Sequence, residues 1–358
     1  MSARSLRQRP RRRPRHERGI ALLVAVLLVA LGTIIAAAVA YDNAMTARRG
    51  EGTFAFDEAL LVGEGAEALA AWGLRTLAQN NPQKQIYLNQ GWDKPQGPME
   101  VVPGVMLTAS LEDLQGRFNL NNLVDEHGIP DPVMTTAFTY LLNEVGLEEK
   151  WTGYLIDWID HDIAPSTPDG AEDTVYMGQS PPYRTPNRYI TSITELLALP
   201  GFGRERFLKI APYVSALPHN TKINLCTAAG LVLDAFLGHQ DFASPNDETL
   251  TKNRQAAGGC FPTRNDYSRA FNDPKLWSGG PPSPAAGTTT GLGASGNRPA
   301  AGTQSVGVSG KVAETSSYFR LTSFITIGST EFNLYSLLYQ DGNTGFGVRP
   351  IQRSFTPD

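Results

Sequence analysis

The sequence predicts an α+β fold in which a long N-terminal helix packs on a small antiparallel sheet, with a large and mainly α-helical domain inserted between the strands. Three observations lead there. Apolar residues recur at helical spacing well beyond an uncharged N-terminal run. Strand-like alternation occurs around Val101–Leu111 and returns only after Tyr318. Between these two places the patterns are helical, with no long alternating run.

The helix begins at a charge discontinuity. Residues 1–19 hold 8 of the 31 basic side chains and one of the 35 acids, so the formal net charge of -4 conceals -11 for the remainder. From Ile20 to Ala40 there is no charged residue. At 1.5 Å per residue this run spans about 31 Å as a helix, the thickness of one bilayer core. Arginines kept on the cytoplasmic side place everything after Tyr41 outside. Three readings fit the segment. Ala38-Val39-Ala40 has the small residues of a secretory cleavage site, although the apolar run exceeds the usual length. A plain signal anchor is the simplest reading. In the third, a peptidase at the cytoplasmic face cuts after Gly19, removes the basic head and leaves Ile20 first on an apolar helix.

A length of 358 residues suggests roughly two globular units. An acidic exported body is a poor nucleic-acid binder, because phosphate neutralisation needs Lys and Arg at the contact. Val62, Ala66, Leu69, Gly73 and Leu77 form one helical stripe that should lie on the sheet. Asn80-Asn81-Pro82 ends the helix near Gln79, since Pro disfavours helical backbone in its predecessor. Strands around a Pro103-Gly104 turn follow, and Tyr318–Ile327, Phe332–Tyr339 and Val348–Phe355 complete the sheet. A two-stranded unit buries too little to stand alone, so the sheet must close across the insertion. Inside it, Pro132–Val145, Trp151–Ile159, Ser192–Leu199 and Ala228–Leu237 read as helices, and Gly279–Gly310 as a mobile return linker poor in apolar residues.

One acidic cluster stands out, with Asp157, Asp160 and Asp162 before a Pro165-Ser166-Thr167-Pro168 turn and Asp169, Glu172 and Asp173 after it. Clustered carboxylates repel unless solvated, protonated or neutralised, and a hard cation such as Ca²⁺ takes oxygen ligands from irregular loops. The alternative is that these acids cap helices or face water. Tyr176, Tyr183, Arg184 and Asn187 downstream either pack over and complete such a site or have structural roles. A second motif, Leu196–Gly203 followed by Phe207 and Ile210, reads as helix, hairpin, helix, flanked by Arg204, Arg206 and Lys209. It either offers backbone amides to nucleic-acid phosphate, as in DNA uptake, or packs one helix on another in a sterile-alpha-motif-like (SAM-like) module. Cys226 and Cys260 form one staple in an oxidising compartment or remain two thiols. The five histidines show no metal-binding pair, and neither a nucleophile elbow, a P-loop nor a dinucleotide fingerprint is present, so catalysis has no positive support.

Gly19-Ile20-Ala21-Leu22-Leu23, the stretch Glu112–Asn121, Asp157-Trp158-Ile159-Asp160, Gly170-Ala171-Glu172-Asp173 with Tyr176, Ser192–Leu197 and Ile223-Asn224 together resemble the K family of type II secretion minor pseudopilins. Val24 stands fifth after Gly19, where most pseudopilins carry Glu and the K type does not. The resemblance implies a pseudopilin fold divided as leader 1–19, filament helix 20–40, helix and first strands 41–120, inserted domain 121–310 and remaining strands 311–358. It also implies cleavage and N-methylation at Gly19 and Ile20 by a prepilin peptidase, and a Ca²⁺ site among the six acids. The partners it implies are the minor pseudopilins I and J, with H and the major pseudopilin, on an inner-membrane anchor with a periplasmic body. His161-Asp162 and the long arginine-rich leader depart from the family's usual pattern.

Overall fold

The computed structural model describes residues 16–240, 242–243, 248–272, 308–342 and 347–356. The leader up to residue 15 and the expected linker as far as residue 307 lie outside the described residues. By contacts the chain divides into two units, Met1–Leu60 and Leu61–Asp358. The first is helical: α1 runs unbroken from His16 to Asn80, and all residues from Ile20 to Ala40 are exposed. Among the described residues it is the one helix long and apolar enough to cross a membrane.

In the second unit the rest of α1 is followed by β1 (Gln96–Val102), β2 (Val105–Asp113) and β3 (Phe118–Asn119). The insertion carries α2 (Pro132–Glu144), α3 (Lys150–Ile159), α4 (Asp173–Tyr176), α5 (Gly203–Ile210), β4 (Val214–Ser215) and β5 (Ile223–Asn224). It continues through α6 (Gly230–Leu237), α7 (Glu248–Ala257) and α8 (Arg264–Asn272) to β6 (Val312–Ala313). Then come β7 (Tyr318–Ile327), β8 (Thr330–Gln340) and β9 (Val348–Ser354). The five-stranded sheet has the order β1-β2-β7-β8-β9 and is antiparallel throughout. Its central pairing joins β2 to β7, with Val105 opposite Ile327 and Asp113 opposite Phe319. This is the long helix, small sheet and helical insertion expected of a pseudopilin-type α+β fold.

Local chemistry explains the strands. Val102 pairs with Val105 across Pro103-Gly104, and Gly104 takes a φ of +83°, which a side chain would disfavour. Alternation then sorts the faces: Phe319, Leu321, Ser323 and Ile325 of β7 and Leu334, Ser336, Leu338 and Gln340 of β8 are buried.

The helix meets this face one step away from the expected stripe. Gly63, Ala66, Glu67, Leu74 and Ala78 are buried, whereas Leu69 is 59% exposed. The reason is Glu67, whose charge suggests solvent but whose carboxylate accepts from Ser336 Oγ (2.6 Å) and from Arg353 Nε (2.8 Å) and Nη2 (2.7 Å). Gln340 Nε2 also donates to the Leu74 carbonyl. Small residues on α1 let the sheet come close, and the ion pair between buried Glu67 and exposed Arg353 fixes the register. A second correction concerns Ser192–Leu199, which forms a short 3-10 helix over Ile193–Ala198.

The insertion has its own apolar core, in which the Phe118 ring packs against Phe138 and Phe236 with centroids 5.4 and 6.0 Å apart. Cys226 and Cys260 are joined as a disulfide. Closing a loop of 34 residues stabilises by roughly 4 kcal/mol in the chain-entropy view.

Two short parallel pairs, β3 with β4 and β5 with β6, gather the chain where it leaves and rejoins the sheet. At that neck the buried Asp113 carboxylate accepts from the Gln115 amide (2.9 Å), Asn224 Nδ2 (3.0 Å), Thr227 Oγ1 (2.6 Å) and Ser316 Oγ (2.6 Å). Burial raises its pKa despite these four donors. Asp113→Ala strands buried donors and should cost about 3 kcal/mol of stability, with Asp113→Asn costing less. Urea unfolding of the detergent-solubilised chain checks both values and their order.

Candidate functional site

The acidic segment folds back on the end of α3. Asp157, in the last turn of that helix, is fully buried, and its carboxylate accepts from the Ser166 amide (3.0 and 3.1 Å) and the Ala171 amide (2.6 Å). Gly170 permits the fold-back, since a Cβ there would collide with the Ser166 backbone and the Asp157 carboxylate. Asp160 caps the helix C-terminus in extended backbone, its amide donating to the Ile156 carbonyl at 2.8 Å. Returning after the loop, the chain sets Glu172 beside it. Carboxylate oxygens of Asp160, Asp162 and Glu172 thus lie within 4.8 Å of one another.

The six sequence candidates separate here by what their oxygens do. Asp160, Asp162 and Glu172 converge. Asp157 adjoins them but is occupied by amides. Asp169 is exposed on the loop. Asp173 turns away, accepting from Thr185 N (3.3 Å) and Oγ1 (3.2 Å) and facing Arg184 Nη1 at 3.5 Å. His161 is exposed and packs near Gly128.

Electrostatics make this cluster costly as it stands. Burial first, then Asp162, Asp157 and Glu172, push Asp160 up to about 7. Burial and then Asp157 push Glu172 up to about 7 as well. Asp160 Oδ1, Glu172 Oε1, Asn187 Oδ1 and the Tyr176 hydroxyl are all buried without a hydrogen-bond partner. Buried polar atoms are ordinarily satisfied, so a group of orphaned oxygens beside like charges fits the donor set of a cation. The donors are hard oxygens on irregular backbone, which suits Ca²⁺ better than a soft metal.

The other candidates are placed as follows. Gly19 and Ile20 both lie in the helical backbone of α1. The Gly-rich turn at Pro200–Gly203 joins the 3-10 helix to α5, with Gly201 and Gly203 at φ of +81° and +71°. Arg206 on its flank grips Glu148 through Nε (2.9 Å) and Nη2 (2.7 Å) and lies 5.5 Å from the Trp151 ring centre. Lys209 faces Glu205 at 3.7 Å. Two of the three cations that flank the turn are therefore engaged within the fold.

A family model described as type II secretion system (T2SS), protein K, matches residues 116–219, which include the acidic cluster and the Gly-rich turn. The type II secretion system protein K of Pseudomonas aeruginosa is 33% identical over 264 residues, covering 71% of this chain and 77% of that protein. Its counterpart in Klebsiella pneumoniae is 35% identical over 219 residues, covering 59% and 66% respectively. The fold is similar to a chain in the solved GspK-GspI-GspJ complex of the enterotoxigenic Escherichia coli type 2 secretion system, with a TM-score of 0.68 at 22% identity, covering 87% of this chain and 100% of that one.

Asp160 and Glu172 yield a prediction without any ligand. Both are held above the usual carboxylate range in the folded state, so folding takes up protons between about pH 4 and pH 7. The stability they contribute is complete below about pH 4 and is lost as pH rises through about 7. With chelator present, Tm should fall across that window, and Asp160→Asn should flatten the fall. Differential scanning calorimetry at a series of pH values reads both effects.

Proposed function

Because this chain belongs to the type II secretion system protein K family, we propose that it is a minor pseudopilin that initiates and caps the pseudopilus from its tip and so supports export of folded proteins across the outer membrane. The observation that carries the reading is α1 itself. One continuous helix begins with an exposed, uncharged stretch, Ile20–Ala40, and ends beneath a sheet that carries a large insertion. Such a helix anchors in the inner membrane with the body in the periplasm, and it can be lifted into a filament only if the basic leader is removed first.

Prepilin peptidase cutting between Gly19 and Ile20, with N-methylation of Ile20, supplies that step. The residue fifth from the new terminus is then the uncharged Val24. A subunit at the tip has no subunit ahead of it whose terminal amine needs a carboxylate. The insertion adds bulk where a further subunit would dock. Minor pseudopilins I and J are the proposed tip partners, by analogy with the protein solved in complex with GspI and GspJ. H and the major pseudopilin follow below them in the shaft.

Ca²⁺ belongs to this reading as a structural ion. Asp160, Asp162 and Glu172 would hold it, and Asp157 would shape the loop around it. The bound ion neutralises charge and satisfies buried oxygens. It performs no chemistry on a substrate, and the protein is a structural component, not an enzyme.

Deleting the chain while overproducing the major pseudopilin should lengthen surface pili in electron micrographs, and unchanged lengths would count against capping. Mass spectrometry of the native protein should find N-methylated Ile20 at its start. A mature terminus at Tyr41 would instead identify a secreted protein released from its signal.

A further inference from the structure

We propose that Asn187 is a neutral oxygen ligand of the cation held by Asp160, Asp162 and Glu172, and that the ion thereby latches the Arg184–Ile190 segment onto the end of α3. The inference rests on the Ca²⁺ reading above and assigns a residue outside the acidic cluster to it.

Three observations bring Asn187 to the site. Its Nδ2 donates to the Asp162 carbonyl at 2.9 Å, so the amide lies against one of the three converging acids. That hydrogen bond decides which end of the amide is nitrogen, because a carbonyl only accepts. The other end, Oδ1, is buried and has no partner, a state shared with Asp160 Oδ1 and Glu172 Oε1. Finally, the backbone at Asn187 takes a φ of +45°, a left-handed conformation that costs a side-chain-bearing residue energy and that Asn tolerates better than most.

Both neighbours of the latch are themselves tied down. On one side, Thr185 Oγ1 reaches Glu172 Oε2 (3.4 Å) and Asp173 Oδ1 (3.2 Å). On the other, Ile190 exchanges hydrogen bonds with the Asn121 side chain, at 2.8 Å to Oδ1 and 2.9 Å from Nδ2, and the Tyr189 hydroxyl donates to the Asp125 carbonyl at 2.9 Å. Asn187 lies between these anchors with its side chain against Asp162. A carboxamide oxygen there adds a ligand without adding a fifth negative charge to Asp157, Asp160, Asp162 and Glu172. Arg184 and Arg188 flank it and are exposed, so the latch has a direct reporter in tryptic cleavage.

The test compares two variants of the full-length chain in detergent, titrated with CaCl₂ by calorimetry. Asn187→Gly keeps the left-handed backbone easy and removes both the oxygen and the donor. Asn187→Asp keeps an oxygen in place and loses the donor to Asp162. As a ligand, Asn187 predicts at least tenfold weaker Ca²⁺ binding in Asn187→Gly, with wild-type or tighter binding in Asn187→Asp. It also predicts that Ca²⁺ slows trypsin at Arg184 and Arg188 in the wild type and in Asn187→Asp but not in Asn187→Gly. Wild-type affinity in Asn187→Gly overturns the assignment, as does an equal loss in both variants, which would mean that only the hydrogen bond to Asp162 matters. A wild-type chain that takes up no Ca²⁺ overturns the calcium reading itself and this assignment with it.

Discussion

The fold depends on one constraint: two strands that pair along their whole length are separated in sequence by the entire insertion. β2 ends at Asp113 and β7 starts at Tyr318, yet they are neighbours at the centre of the sheet. The insertion must therefore leave and return at nearly the same point. Asp113 makes that point specific, because its single carboxylate gathers donors from the 3-10 turn after β2, from β5, from Thr227 and from the approach to β7. Gln115 adds a second tie, donating to the Lys222 carbonyl and accepting from the Ser317 amide. A buried acid with satisfied oxygens is weak as a source of net stability but strict about geometry, since any slip leaves charge or donors unpaired. The neck is thus a polar device between two apolar bodies, and it orients the insertion on the sheet.

Much of this was legible from residues alone, for a physical reason. A strand with one face buried writes its alternation into sequence, and β2, β7 and β8 do so. α2 and α3 announce themselves by apolar spacing, with Asp131 and Pro132 marking the start of α2. The stripe on α1 was only partly placed, with Ala66 right and Leu69 wrong, because its contact is made by small residues, Leu74 and one carboxylate, and hydrophobicity alone points to Leu69. α7 went unseen for the opposite reason: it buries Leu250 and otherwise presents polar side chains. Arg254 from that helix instead holds the Leu225, Ala228 and Phe261 carbonyls, a contact that no periodicity records.

The acidic cluster shows the same division between composition and geometry. Six acids close in sequence identified the loop, but proximity along the chain does not say which oxygens converge. Three do, while Asp157 and Asp173 are engaged by backbone amides and Asp169 is exposed on the loop. Asn187 lies well downstream, and what marks it is an unsatisfied atom and a left-handed turn, neither of which a sequence displays.

The clasp between Glu67 and Arg353 has a consequence for biogenesis. Its two halves are 286 residues apart, so α1 emerges from the ribosome long before the strand that grips it exists. Until β9 has been made, the sheet lacks an edge and the helix lacks its register, and contacts of such long range form slowly. Docking of α1 on the sheet is thus completed only after the whole body has been synthesised, which makes it a late event in the maturation of the chain.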